Sequence, residues 1–243
     1  MRSSSYLVVP ASSLLVLLFG VFLGRAVLAS PVKHPNCIGA AECPRIVSRE
    51  EWKARKRLGF ELLPVTPTPY VVIHHGGIRR YCKDQESCSA IVRSYQNFHM
   101  DDRGWYDIGY NFLVGEDGNV YTGRGWDYVG AHAIGYNTQS IGICVLGDFT
   151  DFLPNAAALK ALNELIACGV SLGKISDKYN VIGHRQTRAT ECPGESFYKY
   201  VKALPRWTAN PIPLRTNTTT TTTTEPTELR DNDVAGNDKP AAL

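Results

Sequence analysis

The sequence predicts an α/β fold: a single domain with a central, mainly parallel or mixed β-sheet flanked by α-helices, its site in a groove at the strand ends. Three observations predict it. Tyr70-Val71-Val72-Ile73 and Ile141-Gly142-Ile143-Cys144-Val145-Leu146 are unbroken apolar runs, the pattern of strands buried on both faces. Helical patterns lie between the strand candidates, as crossovers between parallel strands require. Two strands stop at histidine, at Ile73-His74-His75-Gly76-Gly77 and at Ile182-Gly183-His184.

Taken in order, Ser48 with Glu51 three residues later reads as a capping box opening a helix through Trp52. Pro64, Pro67 and Pro69 make the following stretch an extended connection. A strand then runs from Tyr70 to His75. Cys88 to His99 has helical spacing, with Ile91, Val92, Tyr95 and Phe98 on one stripe. Tyr110–Val114 and Asn119–Tyr121, joined across Glu116-Asp117-Gly118, read as a hairpin. Gln139–Phe149 holds the next strand. Asn155–Leu172, rich in Ala and Leu, reads as a helix with Pro154 at its first turn. Tyr179–Ile182 is a short strand, and Glu195–Leu204 a closing helix stopped by Pro205.

The two ends of the 243-residue chain differ from the middle. Residues 1–29 fit a signal peptide: Arg2, a dense apolar stretch from Leu14 to Leu23, and small residues at Val27-Leu28-Ala29 for cleavage after Ala29. Pro10 and Arg25 argue against a retained membrane span. The expectation is therefore a secreted, extracellular protein with no stable membrane association. Residues 209–243 carry a threonine run through Thr224 and little apolar content, so a disordered tail is expected. Asn217-Thr218-Thr219 is an N-glycosylation sequence, and the run itself suits O-glycosylation. The domain is placed at residues 43–208, a comfortable length for one core. Loss of Arg2 and Arg25 with the leader lowers the formal charge from +3 to +1. The sequence has no basic block of the kind that nucleic-acid binding needs, and no nucleic-acid partner is expected.

Seven cysteines in an exported chain imply disulfides, and Cys82 and Cys88 are close enough to bridge locally. An odd number leaves at least one for another task. Ligand sites in open α/β sheets gather beyond the carboxyl ends of strands. Neighbouring strand ends would bring His74 and His184 to one point. Cys192, eight residues past His184, can return to the same point on its loop. Two imidazoles and a thiolate with one open position suit catalytic zinc. The same residues also suit a cysteine nucleophile with His184 as base, although an oxidising compartment disfavours a free reactive thiolate. At this level both chemistries stand.

The segments Val72-Ile73-His74-His75, Trp105-Tyr106-Asp107-Ile108-Gly109-Tyr110-Asn111-Phe112, Gly115-Glu116-Asp117-Gly118, Gly123-Arg124-Gly125-Trp126, Gly130-Ala131-His132, Gly183-His184-Arg185 and Thr190-Glu191-Cys192-Pro193-Gly194 resemble, in order, those of the peptidoglycan recognition proteins. That animal innate-immunity family shares its fold with bacteriophage lysozyme-type amidases, and the resemblance spans Cys43 to Trp207. It implies a Zn2+ site of His74, His184 and Cys192, with Tyr110 assisting catalysis and Thr190 a further active-site position. Non-catalytic receptors of the family commonly carry serine where this chain has Cys192, so the resemblance favours an enzyme. The implied reaction is hydrolysis of the amide joining the lactyl group of N-acetylmuramic acid to L-alanine, in peptidoglycan and muropeptides. His75, Trp105, Asp127, Tyr128, His132, Tyr136 and Arg185 fall on the family's binding groove. Asp127-Tyr128 matches neither family pair that biases stem recognition, and Thr138 stands where some diaminopimelate binders carry arginine, so no stem preference is implied. The resemblance also implies disulfides Cys82–Cys88 and Cys43–Cys168 and a free, packed Cys144. It leaves Cys37 without a partner. The protein is expected to be a monomer or weak oligomer.

Overall fold

Short-range pattern accounts for most of the secondary structure in the computed structural model, which describes residues 43–214. The leader, Cys37 and the threonine run with its glycosylation sequence lie outside the described residues. In chain order the elements are β1 (Ile46–Val47), β2 (Thr68–His75), α1 (Gln85–Asn97), β3 (Phe112–Val114), β4 (Val120–Thr122), β5 (Ser140–Val145), α2 (Ala156–Ser171), β6 (Ile175–Gly183) and α3 (Glu195–Lys202). The strands form one sheet in the order β1-β4-β3-β5-β2-β6. Every pairing is parallel except the β3–β4 hairpin, so the sheet is mixed.

β2 lies between β5 and the edge strand β6, paired on both sides and almost wholly buried. Val71 and Ile73 point into the main core, which α2 closes with Ala158, Ala161, Leu162, Leu165 and Ile166. Tyr70 and Val72 alternate to the other face, where they pack with Ala133, Tyr136 and Ile182. Strand periodicity then places His74 on that second face. α1 starts earlier than the apolar stripe suggests, because Asp84 caps it by accepting from the Ser87 N–H at 2.8 Å. Asn155 caps α2 in the same way, leaving Pro154 just before the cap rather than inside the first turn.

The sequence expectation fails at Ser48. Its capping bonds form, with Ser48 N–H donating to Glu51 at 2.7 Å, but no helix follows. Lys53 adopts a left-handed φ of 60°, and Trp52 is pulled into the core, its indole N–H donating to the Thr122 carbonyl at 2.9 Å. β1 is too short to carry a periodic signal. Cys43–Cys168 and Cys82–Cys88 are bonded, and Cys144 is a buried free thiol. Past residue 208 the described chain stays against the domain: the Tyr70 hydroxyl donates to the Ile212 carbonyl at 2.8 Å, and Leu214 N–H to Gln139 at 2.7 Å.

Candidate metal centre

Ile73 of β2 is the register partner of Gly183 of β6, so the next residues, His74 and His184, emerge at the same level of the sheet. Their ring centroids are 4.4 Å apart. The loop after His184 folds back, and the Arg185 N–H donates to the Cys192 carbonyl at 2.9 Å. Gly194 lets the loop lie flat against the chain at Phe149. Its φ is +89°, and a Cβ there would sit 2.5 Å from the Phe149 carbonyl carbon. Cys192 is thereby set with its Sγ 3.7 Å from His74 Nδ1. The donor atoms of His74, His184 and Cys192 all lie within 4.8 Å of one another.

Burial leaves the two imidazoles unprotonated, as metal ligands must be. Burial holds the His74 imidazole well below its usual range, with the neighbouring histidines adding to the effect. Burial, with Arg188 and His75 nearby, brings His184 down to about 4. Both rings are neutral at physiological pH and offer lone pairs. Burial pushes the Cys192 thiol up to about 12, against the pull of the His75 backbone and Arg185. His184, whose own basicity burial lowers, is a poor base for that thiol. A bound metal ion would supply the positive charge that favours the Cys192 thiolate. Two neutral imidazoles and a thiol at this spacing fit zinc, which bonds nitrogen at about 2.0 Å and thiolate at about 2.3 Å.

Other expected residues gather round this trio. The Tyr110 ring is 5.2 Å from that of His74, and burial beside the Cys144 and Cys192 thiols raises its phenol well above the ordinary value. Thr190 Oγ1 accepts the Cys192 N–H at 3.3 Å. His75 Nδ1 accepts the Phe149 N–H at 3.2 Å, and burial lowers its pKa to about 4. His132 Nδ1 lies 3.1 Å from His74 Nε2.

Each of the remaining expected groove residues has protein partners of its own. Arg185 is held by Glu195 at 2.7 Å and by the Glu191 carbonyl, and it lies over the Tyr198 ring, so its charge braces the Cys192 loop. Asp127 pairs with Lys174 at 2.6 Å, beside the beginning of β6. Tyr128 sits between the Phe60 ring and the Arg57 guanidinium. Tyr136 is a core residue, edge-on to Tyr70 at 5.2 Å. Trp105 stacks on His99 at 4.8 Å. Sequence reasoning misses His99, which it places only at the end of a helical stripe. The ring is buried, accepts the Gly109 N–H at 3.1 Å and contacts Tyr110. No local signal marks it, because its partners follow in an irregular loop.

Residues 64–195 match the family profile described as N-acetylmuramoyl-L-alanine amidase. The chain is 43% identical over 188 residues to peptidoglycan-recognition protein LB of Drosophila melanogaster, covering 77% of this chain and 81% of that protein. It is 39% identical over 178 residues to the N-acetylmuramoyl-L-alanine amidase of Homo sapiens, covering 72% of this chain but only 31% of that longer protein. The structure is also similar to that of the ectodomain complex of peptidoglycan recognition proteins LCa and LCx bound to tracheal cytotoxin. There the TM-score is 0.66 at 48% identity, over 68% of this chain and 98% of that one.

Proposed function

This chain belongs to the peptidoglycan recognition protein family, and we propose that it is an exported, zinc-dependent N-acetylmuramoyl-L-alanine amidase. It would bind bacterial peptidoglycan and its muropeptides and hydrolyse the lactyl–L-alanine amide, serving innate immunity by degrading or scavenging that polymer. Similarity to recognition proteins solved with a muropeptide supports the binding half of this reading. The observation that carries the catalytic half is the convergence of Cys192 with His74 and His184.

His74, His184 and Cys192 would hold the ion. Zinc in such a site lowers the pKa of a bound water and polarises a carbonyl. The protein's own groups divide the remaining work. The Tyr110 phenol, beside the His74 ring and raised by burial well above its ordinary value, would donate a hydrogen bond to the oxygen on which charge develops. Thr190 is not a base; it fixes the Cys192 peptide. His75, with Nδ1 occupied by the Phe149 N–H, carries its proton on Nε2 and can donate to substrate.

Incubation of the purified protein with lysine-type and diaminopimelate-type muropeptides, with and without chelator, tests the proposal. Release of free stem peptide, abolished by chelation and restored by zinc, is expected. Cleavage that persists in metal-free protein overturns the zinc reading. Tight binding without cleavage by the zinc-loaded protein would make it a receptor instead.

A further inference from the structure

His74 has two ring nitrogens and both face a partner. Nδ1 faces Cys192 Sγ at 3.7 Å, and Nε2 faces His132 Nδ1 at 3.1 Å. Only one proton can lie between two imidazole nitrogens at that distance. If Nδ1 gives its lone pair to a metal, the proton must sit on Nε2, and His132 Nδ1 must accept it. His132 then carries its own proton on Nε2, a buried atom that has no hydrogen-bond partner.

The His132 ring is fixed with unusual closeness. A Cβ on Gly130 would lie 2.3 Å from its Cδ2, and one on Gly142 would lie 2.4 Å from the same atom. Asn137 accepts the His132 and Ala133 N–H groups at 2.9 and 2.8 Å, which pins the backbone that carries the ring. Two glycines and an asparagine thus hold a buried imidazole in one orientation.

We propose that His132 is a positioning residue: its Nδ1 accepts the His74 Nε2–H and so presents His74 Nδ1 to the metal. This rests on the zinc reading above. Metal-bound histidines usually donate their second N–H to a carboxylate, carbonyl or water. A neutral imidazole in that place sets the tautomer and ring angle without adding negative charge. The zinc-loaded site would already contain one thiolate, so its cation would keep more of its polarising power.

The test compares zinc affinity by chelator competition in the full-length protein, His132→Leu and His132→Asn. Leucine removes the acceptor, whereas Oδ1 of asparagine replaces Nδ1 at the same distance from the backbone. Zinc binding by His132→Leu should weaken roughly 10–100-fold, the usual cost of losing such a partner, and His132→Asn should recover most of it. A purely structural role would lower the thermal midpoint of the metal-free protein but leave the zinc affinity of the folded fraction unchanged. That result overturns the proposal. Should His132→Leu not fold, the 15N shifts of the zinc-loaded wild type decide: His74 protonated at Nε2 upholds it, and protonation at Nδ1 overturns it. If His74→Ala retains wild-type zinc affinity, the metal site itself is wrong, which separates the two failures.

Discussion

Cys192 and His74, 118 residues apart in sequence, meet with Sγ 3.7 Å from Nδ1 in a buried setting. Cys192→Ser should keep the fold and lose zinc, because a hydroxyl cannot supply a charged ligand at neutral pH. We expect affinity to fall by more than the ~100-fold typical of losing an outer partner, with turnover abolished. Metal analysis after gel filtration checks this, and a variant that cleaves muropeptides at the wild-type rate would remove Cys192 from the mechanism.

Tyr110 contacts the His74 ring and remains protonated. Removing its hydroxyl in Tyr110→Phe should lower kcat by about 10²–10³-fold, the usual effect of deleting a transition-state donor, with zinc content and KM little changed. An equal rise in KM at constant kcat would instead make it a binding residue.

Gly194→Ala meets the Phe149 backbone in a conformation that disfavours any Cβ. A loss of at least ~1–3 kcal/mol is expected by urea unfolding, together with weaker zinc binding, because the same loop carries Cys192. A wild-type unfolding midpoint would contradict the loop geometry.

Burial, reinforced by Arg124 and Arg103, lowers His99 to about 3 against an ordinary value of 6.5. The folded state leaves this ring neutral while the unfolded chain takes up a proton below pH 6.5. Its contribution is therefore full above pH 6.5 and is lost as pH falls toward 3, at about 1.4 kcal/mol per pH unit. His99→Asn, which keeps an acceptor for the Gly109 N–H, should remove that part of the acid dependence. Parallel stability–pH curves for the two proteins would refute the assignment.

The disulfides close loops of very different size, with sequence separations of 125 for Cys43–Cys168 and 6 for Cys82–Cys88. Loop entropy alone makes removal of the longer cross-link, by paired serine substitutions, more costly by about 2–3 kcal/mol. Denaturant midpoints of the two double variants provide the comparison.

Much of the site is legible in the residues themselves. β2 and β6 announce themselves because a buried strand needs a β-branched apolar run, and a histidine breaking that run is conspicuous. The ordered motifs from Val72 to Gly194 carry the family, the ligand set and the disulfide partners. The Ser48 capping box shows the limit: its local bonds form as expected, yet no helix follows, because Trp52 is held by Thr122 seventy residues away. Asp127 and Tyr136 reach the groove by resemblance alone, while the fold engages one with Lys174 and the other with Tyr70.

Residue order alone marks most of the strands and helices, though neither β1 nor the turn after Ser48, and it marks the side chains that supply two imidazoles and a thiol. Those depend on periodicity and residue chemistry, which are local. That Ile73 pairs with Gly183, and that His132 comes to lie against His74, is settled in three dimensions. Sheet register and loop packing set those contacts, and both are sums over residues distant along the chain.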